Sequence, residues 1–182
     1  MKELSLNILD ITENSVKAGA SLTEILLTEQ DNALTITIRD NGCGMDAETV
    51  KRVTDPFYTT RTTRAVGLGL PLLKLEAQQT GGDVTVTSRD KATYPENHGT
   101  EVQAVFYTDH IDCPPVGDMP ATMVTLVQGH PHTDFLFLHT KNGNEVRMDT
   151  RELREVLEGV PLDSFEVLQW IQGFLAEGYE NL

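Results

Sequence analysis

The stretch TITIRDNGCGMD, Thr35–Asp46, decides how the chain is read. Thr and Ile alternate over its first half, the pattern of a half-buried strand. The strand runs into Asp40, then Asn41-Gly42, then Cys43-Gly44. Three readings are open at this point. Asn-Gly marks a tight turn. A cysteine between glycines suits metal or redox chemistry. Two glycines one residue apart also suit a loop that lets a ligand approach the backbone.

The neighbouring segments give this turn a setting. LTEILLTE and ALTITIRD alternate as a hairpin that turns at QDN. Before them, KELSLNILDITENSVKAGA reads as a helix, with Leu4, Ile8, Ile11 and Ser15 on one face and Gly19 as its stop. After the turn, DAETVKRV is a short helix with Asp46 as N-cap. DPFYTTRTTRAVGLG has no apolar period and reads as a loop. LPLLKLEAQQT is a helix with Pro71 in its first turn, ended by Gly81-Gly82. DVTVTS and TEVQAVFY are alternating strands. The expected fold is α+β, an α/β sandwich with a mixed sheet and helices on one face, over residues 1–108. A proline-rich linker is expected over 109–120. Residues 121–182 are expected to form a small α+β unit. Its strands would be ATMVTLVQ, DFLFLHT and EVRMD. Its helices would be TRELREVLEG, capped by Thr150, and DSFEVLQWIQGFLAE, capped by Asp163 or Ser164.

Charge narrows the partners. Aspartate and glutamate total 28 against 14 lysine and arginine, a formal charge of −14. Such a surface repels nucleic acid and anionic lipid, and favours a basic protein partner or simply solubility. The two cysteines, Cys43 and Cys113, form neither a disulfide framework nor a zinc pair. No apolar run approaches the roughly 20 residues of a membrane span. The first residues mix acids and asparagine among apolar ones, unlike a signal peptide. The expectation is a cytoplasmic protein.

Several residue sets carry chemistry. Asn7, Asp10, Asn14 and Lys17 fall within an arc of roughly 80° on the first helix. This stripe is either a solvated helix edge or a set converging on one ligand. Amides, a carboxylate and an ammonium together suit a phosphate chain with magnesium. Gly67, Leu68 and Gly69 precede a helix start, where small residues let phosphate meet free N–H groups. The P-loop spacing is absent. From Pro56 to Leu75 there is no acid, while Arg61, Arg64 and Lys74 are present. His130 and His132 lack an evident third metal ligand. Phe165, Leu168 and Trp170 form a core or interface stripe on the last helix.

Four blocks, LDITENSVKAGA, DNGCGMD, DPFYTTR with AVGLGL, and NHGTEVQAVF, occur in one order. Together they resemble the GHKL ATPase superfamily, which includes gyrase B, the large ATP-dependent chaperone, histidine kinases and MutL. The resemblance spans residues 4–107. ENSVKAGA is close to the MutL form, whereas PFYTTR and GLGLPLLK are closer to histidine kinases. The resemblance implies ATP and Mg2+ as ligands. It makes Asn14 the magnesium ligand and Lys17 a phosphate contact. It makes Asp40 the acceptor for the adenine amino group, with Gly42 and Gly44 allowing close approach. Thr100 would support adenine through its hydroxyl. Phe57 and Tyr58 begin the ATP lid. Thr59, Thr60 and Arg61 would lie near the terminal phosphate, and Gly67, Leu68 and Gly69 beside the phosphates. Asp10 falls where gyrase and MutL carry the glutamate that activates water, and is expected to be catalytic.

The resemblance also bears on the kind of protein. The asparagine block begins within the first ten residues, so the expectation is a chain without a phospho-acceptor hairpin before it. The chain therefore resembles a stand-alone catalytic module of the histidine-kinase kind. The implied function is signalling, by ATP hydrolysis or by γ-phosphoryl transfer to a histidine or serine of a partner protein. The alternative is a non-catalytic nucleotide-binding regulatory protein. Nine residues separate Phe57 from Gly67, a short lid that favours the signalling branches.

Overall fold

A computed structural model of the chain describes residues 3–55 and 69–182. Helix α1 spans Leu4–Lys17. Its apolar residues recur every three or four positions, so Leu4, Ile8, Ile11 and Ser15 share one buried face. The proline-rich segment supplies acceptors for its first N–H groups. Leu4 N–H donates to Pro115 O at 2.9 Å, and Ser5 N–H donates to Val116 O at 2.7 Å. This segment therefore docks on the body of the protein and caps a helix.

Strands β1 (Leu22–Gln30) and β2 (Ala33–Asp40) form an antiparallel hairpin. Asp31 and Asn32 take positive φ values of 52° and 61° at its turn, as a two-residue hairpin connection of matching twist requires. Helix α2 (Ala47–Arg52) is capped by Asp46, whose carboxylate accepts the Thr49 N–H at 2.7 Å. Helix α3 (Gly69–Gln79) carries Pro71 in its first turn. Strands β3 (Asp83–Arg89) and β4 (Gly99–Tyr107) pair antiparallel.

The remaining elements are α4 (Met119–Gly129), β5 (Asp134–Lys141), β6 (Asn144–Asp149), α5 (Thr150–Leu157) and α6 (Phe165–Glu180). ATMVTLVQ, which reads as a strand, lies in α4. Asp118 accepts the Ala121 N–H at 2.9 Å, and Pro120 sits in the first turn. Met119, Met123, Leu126 and Val127 are buried at helical spacing. Burial against α1 and α6 outweighs the weaker strand preference of its β-branched residues. Asp149, not Thr150, caps α5, accepting the Arg151 N–H at 2.9 Å. The Thr150 hydroxyl instead accepts from Phe135 N–H at 2.8 Å and donates to Asp134 at 2.9 Å.

Among the described residues, the six strands form one mixed sheet in the order β3-β4-β2-β1-β5-β6. β5 joins β1 in parallel, and the other pairs are antiparallel. The strands after the proline-rich segment thus extend the sheet built by the strands before it. Inward residues align across the ladder: Ala104, Ile36, Leu27 and His139 in one row, Val102, Ile38, Ile25 and Phe137 in the next. These rows are buried, with α1 over β1 and β2, α3 over β3 and β4, and α6 over β6. Among the described residues no helix is long and apolar enough to cross a membrane.

Candidate functional site

The inward rows of β2 and β4 are apolar until their last members. Leu34, Ile36 and Ile38 lead to Asp40, and Phe106, Ala104 and Val102 lead to Thr100. Asp40 and Thr100 are direct cross-strand partners. The alternation that buries the core therefore places a carboxylate and a hydroxyl side by side at the sheet's end. They face a cavity of about 250 Å³. Asn14 of α1 and Gly44 of the turn also line it. Its remaining walls include Ile11, Ile38, Met45, Leu70 and Val102. A partly apolar slot with a few aimed polar groups suits a planar heterocycle.

Asp40 is held in place and keeps acceptor capacity. Ser15 Oγ donates to its Oδ2 at 2.7 Å, and Gly42 N–H donates to its Oδ1 at 2.8 Å. A carboxylate has about four lone-pair sites, so free ones remain for a ligand donor. Thr100 is fixed through Ser88. The Ser88 hydroxyl accepts the Met45 N–H at 2.8 Å and donates to Gly99 O at 3.0 Å. With that proton committed, Thr100 donates to Ser88 at 2.8 Å and offers lone pairs to the cavity. His98 Nδ1 meets the Gly42 carbonyl and ties this wall to the turn. Ser15, Ser88, Met45 and His98 were missed at the sequence level. Ser15, Met45 and His98 lie within the four ordered blocks, and Ser15 also on the buried face of α1, whereas Ser88 lies outside them.

The α1 stripe divides. Asn14 is half-buried in the cavity wall. Lys17 is exposed one turn beyond, close enough to influence Asp10. Asp10 sits where α3 begins: a Cβ at Gly69 would lie 3.6 Å from the Asp10 Cβ. Partial desolvation holds the Asp10 carboxyl above its ordinary pKa, Lys17 opposes that, and Glu13 adds to it. Asn7 leaves the stripe. It is buried and donates to Glu76 of α3 at 2.9 Å, which links the two helices instead. Its Oδ1 has no partner among the described residues.

The glycine turn is shaped by protein backbone. A Cβ at Gly44, where φ is +69°, would lie 2.0 Å from the Arg89 carbonyl oxygen. At Gly42 it would lie 2.9 Å from both Ala18 Cβ and Ala18 O. The turn itself therefore requires both glycines. Cys43 between them is exposed, and its N–H donates to Ala18 O at 2.9 Å. Phe57, Tyr58, Thr59, Thr60, Arg61, Arg64, Gly67 and Leu68 lie outside the described residues. His130 Nε2 lies 2.9 Å from Glu13, which joins the end of α4 to α1.

Known proteins resemble this chain in sequence or in fold. The sensor kinase AtoS of Escherichia coli is 34% identical over 88 residues, covering 48% of this chain and 14% of that protein. Sporulation kinase E of Bacillus subtilis is 33% identical over 91 residues, covering 50% of this chain and 12% of that one. The chain thus matches only a small part of each kinase. Among solved structures, the N-terminal domain of a DNA repair protein superposes with a TM-score of 0.59 at 17% identity, covering 82% of this chain and 53% of that one. The Aquifex aeolicus MutL ATPase domain complexed with ADP gives 0.53 at 15% identity, covering 87% and 70%. At these identities the likeness is one of fold. The family evidence is direct: residues 2–110, more than half the chain, match the sequence profile of one family. The chain belongs to the histidine kinase-, DNA gyrase B- and HSP90-like ATPases.

Proposed function

We propose that this domain binds Mg-ATP and directs phosphoryl chemistry at a protein partner. One observation carries the reading. Asp40, Thr100 and Asn14 converge on a single cavity, and Asp10 stands beside it against the start of α3. Asp40 would accept the adenine amino group with its unused lone pairs. Thr100 would support the ring through its remaining acceptor sites. The start of α3 would meet the phosphates with free N–H groups.

Magnesium fits the donors present. Among the described residues nothing hydrogen-bonds the Asn14 amide. An unengaged amide oxygen near a carboxylate is a hard oxygen set of the kind magnesium takes. The metal would neutralise phosphate charge. Lys17 would add a second cation.

Asp10 would serve as base. Its carboxylate can take a proton from an attacking hydroxyl or water. Partial desolvation raises its pKa and strengthens it as a base, while Lys17 opposes that shift. A partner could dock beside this point. Pro71, Leu72, Lys74 and Leu75 of α3 line an apolar groove of about 400 Å³.

Calorimetry tests the binding. Asn14→Ala and Asp40→Ala should each abolish magnesium-dependent ATP binding, and unchanged affinity in both would refute the assignment. Asp10→Asn should bind ATP and lose turnover. Unchanged turnover would remove Asp10 as the base. Incubation with γ-labelled ATP and cell extract separates transfer from hydrolysis. Label on another protein indicates a kinase, and free phosphate alone indicates an ATPase.

A further inference from the structure

Helix α6 has a second face that the fold does not use. Val167, Ile171 and Leu175 bury one side of it against the sheet and α4. Glu166, Trp170, Gly173, Phe174 and Glu177 fall within an arc of about 100° on another side. Trp170 and Phe174 are 51% and 42% exposed, too much for core residues. Their rings stack at a centroid distance of 4.9 Å and an interplanar angle of 10°. Beside them a Cβ at Gly173 would meet nothing within 4 Å. The result is a flat aromatic step next to bare helix backbone, with a carboxylate at each end.

The charge on α6 has one sign: it carries Glu166, Glu177 and Glu180 and no lysine or arginine. Residues 150–182 hold seven carboxylates and two arginines. Both arginines are engaged elsewhere. Arg151 bonds Asp149 at 2.8 Å, and Arg154 bonds Asp134 at 2.8 Å and the Pro131 carbonyl at 2.7 Å. We propose that the Trp170–Phe174 face of α6 is a docking surface for a positively charged amphipathic helix of a partner protein. Apolar side chains of that helix pack on the aromatic step, its backbone approaches over Gly173, and its lysines or arginines meet Glu166 and Glu177. A second copy of this chain fits poorly. A two-fold contact would set the same carboxylates against each other. The face lies over β6, at the opposite end of the sheet from α3. It can therefore be occupied together with the groove beside the nucleotide site.

Trp170 is the chain's single tryptophan, so its emission reports this face. The full chain is titrated with a synthetic lysine–leucine peptide patterned as an amphipathic helix. The same peptide scrambled, and one with glutamate for lysine, are the controls. The expected result is a saturable blue shift with the basic helix only. Phe174→Ala should weaken binding about tenfold or more. Glu166→Gln with Glu177→Gln should weaken it about two- to fivefold and flatten its salt dependence. These residues are exposed, and circular dichroism checks that each variant folds. The proposal is overturned by no shift, by equal binding of either control, or by variants that bind unchanged. Sedimentation showing a dimer of the free chain that Phe174→Ala dissolves would also overturn it.

Discussion

The two ends of the sheet finish in opposite ways. At one end the inward rows stop at Asp40 and Thr100, whose spare lone pairs face a cavity. At the other end they stop at Glu29 and His139, which use their polar atoms on each other and on α6. His139 Nε2 lies 2.8 Å from Glu29, and its Nδ1 lies 2.7 Å from the Tyr179 hydroxyl. Lys141 stands 3.6 Å from Glu29. A groove of about 440 Å³ passes this second cluster, yet its imidazole and phenol are already satisfied. Polar residues at the end of an apolar row are therefore not enough for a binding site. What matters is whether the fold leaves their hydrogen-bonding capacity unspent.

The same contrast holds for what each half tolerates. The C-terminal half depends on packed volume. Phe137→Ala should cost about 3–5 kcal/mol, because Phe137 is fully buried between sheet and helices. Urea unfolding followed by Trp170 fluorescence and by far-UV circular dichroism should shift together. Separate transitions would show that the two halves fold independently. The nucleotide half depends on backbone approach. Gly44→Ala meets positive φ and the Arg89 carbonyl, and should cost about 1–3 kcal/mol in strain. Chemical denaturation measures that cost, and calorimetry should show nucleotide binding lost with it.

The His139 cluster responds to pH. Burial lowers the His139 pKa below its ordinary 6.5, with Glu29 opposing. The folded state thus favours the neutral ring. Its contribution is complete above pH 6.5 and is lost as pH falls below that value. Thermal melts between pH 7 and pH 5 should show a drop that His139→Gln reduces. The smallest effect belongs to the outer sheet surface. Arg39 bonds Glu101 at 2.7 Å and Glu24 at 3.0 Å, yet it is half-exposed. Arg39→Ala should cost at most about 1 kcal/mol by urea titration, and less in high salt.

Much of the nucleotide half was legible because its signals are local. The α1 periodicity, the alternation of β1 and β2 and the Asp46 cap need only near neighbours in sequence. The C-terminal half was harder. ATMVTLVQ carries β-branched residues at helical spacing, and only its neighbours α1 and α6 settle which property prevails. Asn7 sits on the same stripe as Asp10 and Asn14, but the approach of α3 draws it inward to Glu76. Strand register puts Lys141 opposite Glu29, about six residues along β1 from the Asp40 partner Thr23 and so roughly 20 Å from that end of the sheet.

The sequence by itself determined the residues of α1, the hairpin with its glycine turn, and the ordered blocks that mark the family. These rest on periodicity and backbone conformation, which act over a few residues. Only the tertiary structure decided that Asp40 and Thr100 stand side by side, that β5 joins β1 in parallel, and that Trp170 and Phe174 remain outside. Those outcomes depend on strand register and on which faces bury against each other. Such long-range free energies have no signature in any short stretch of chain.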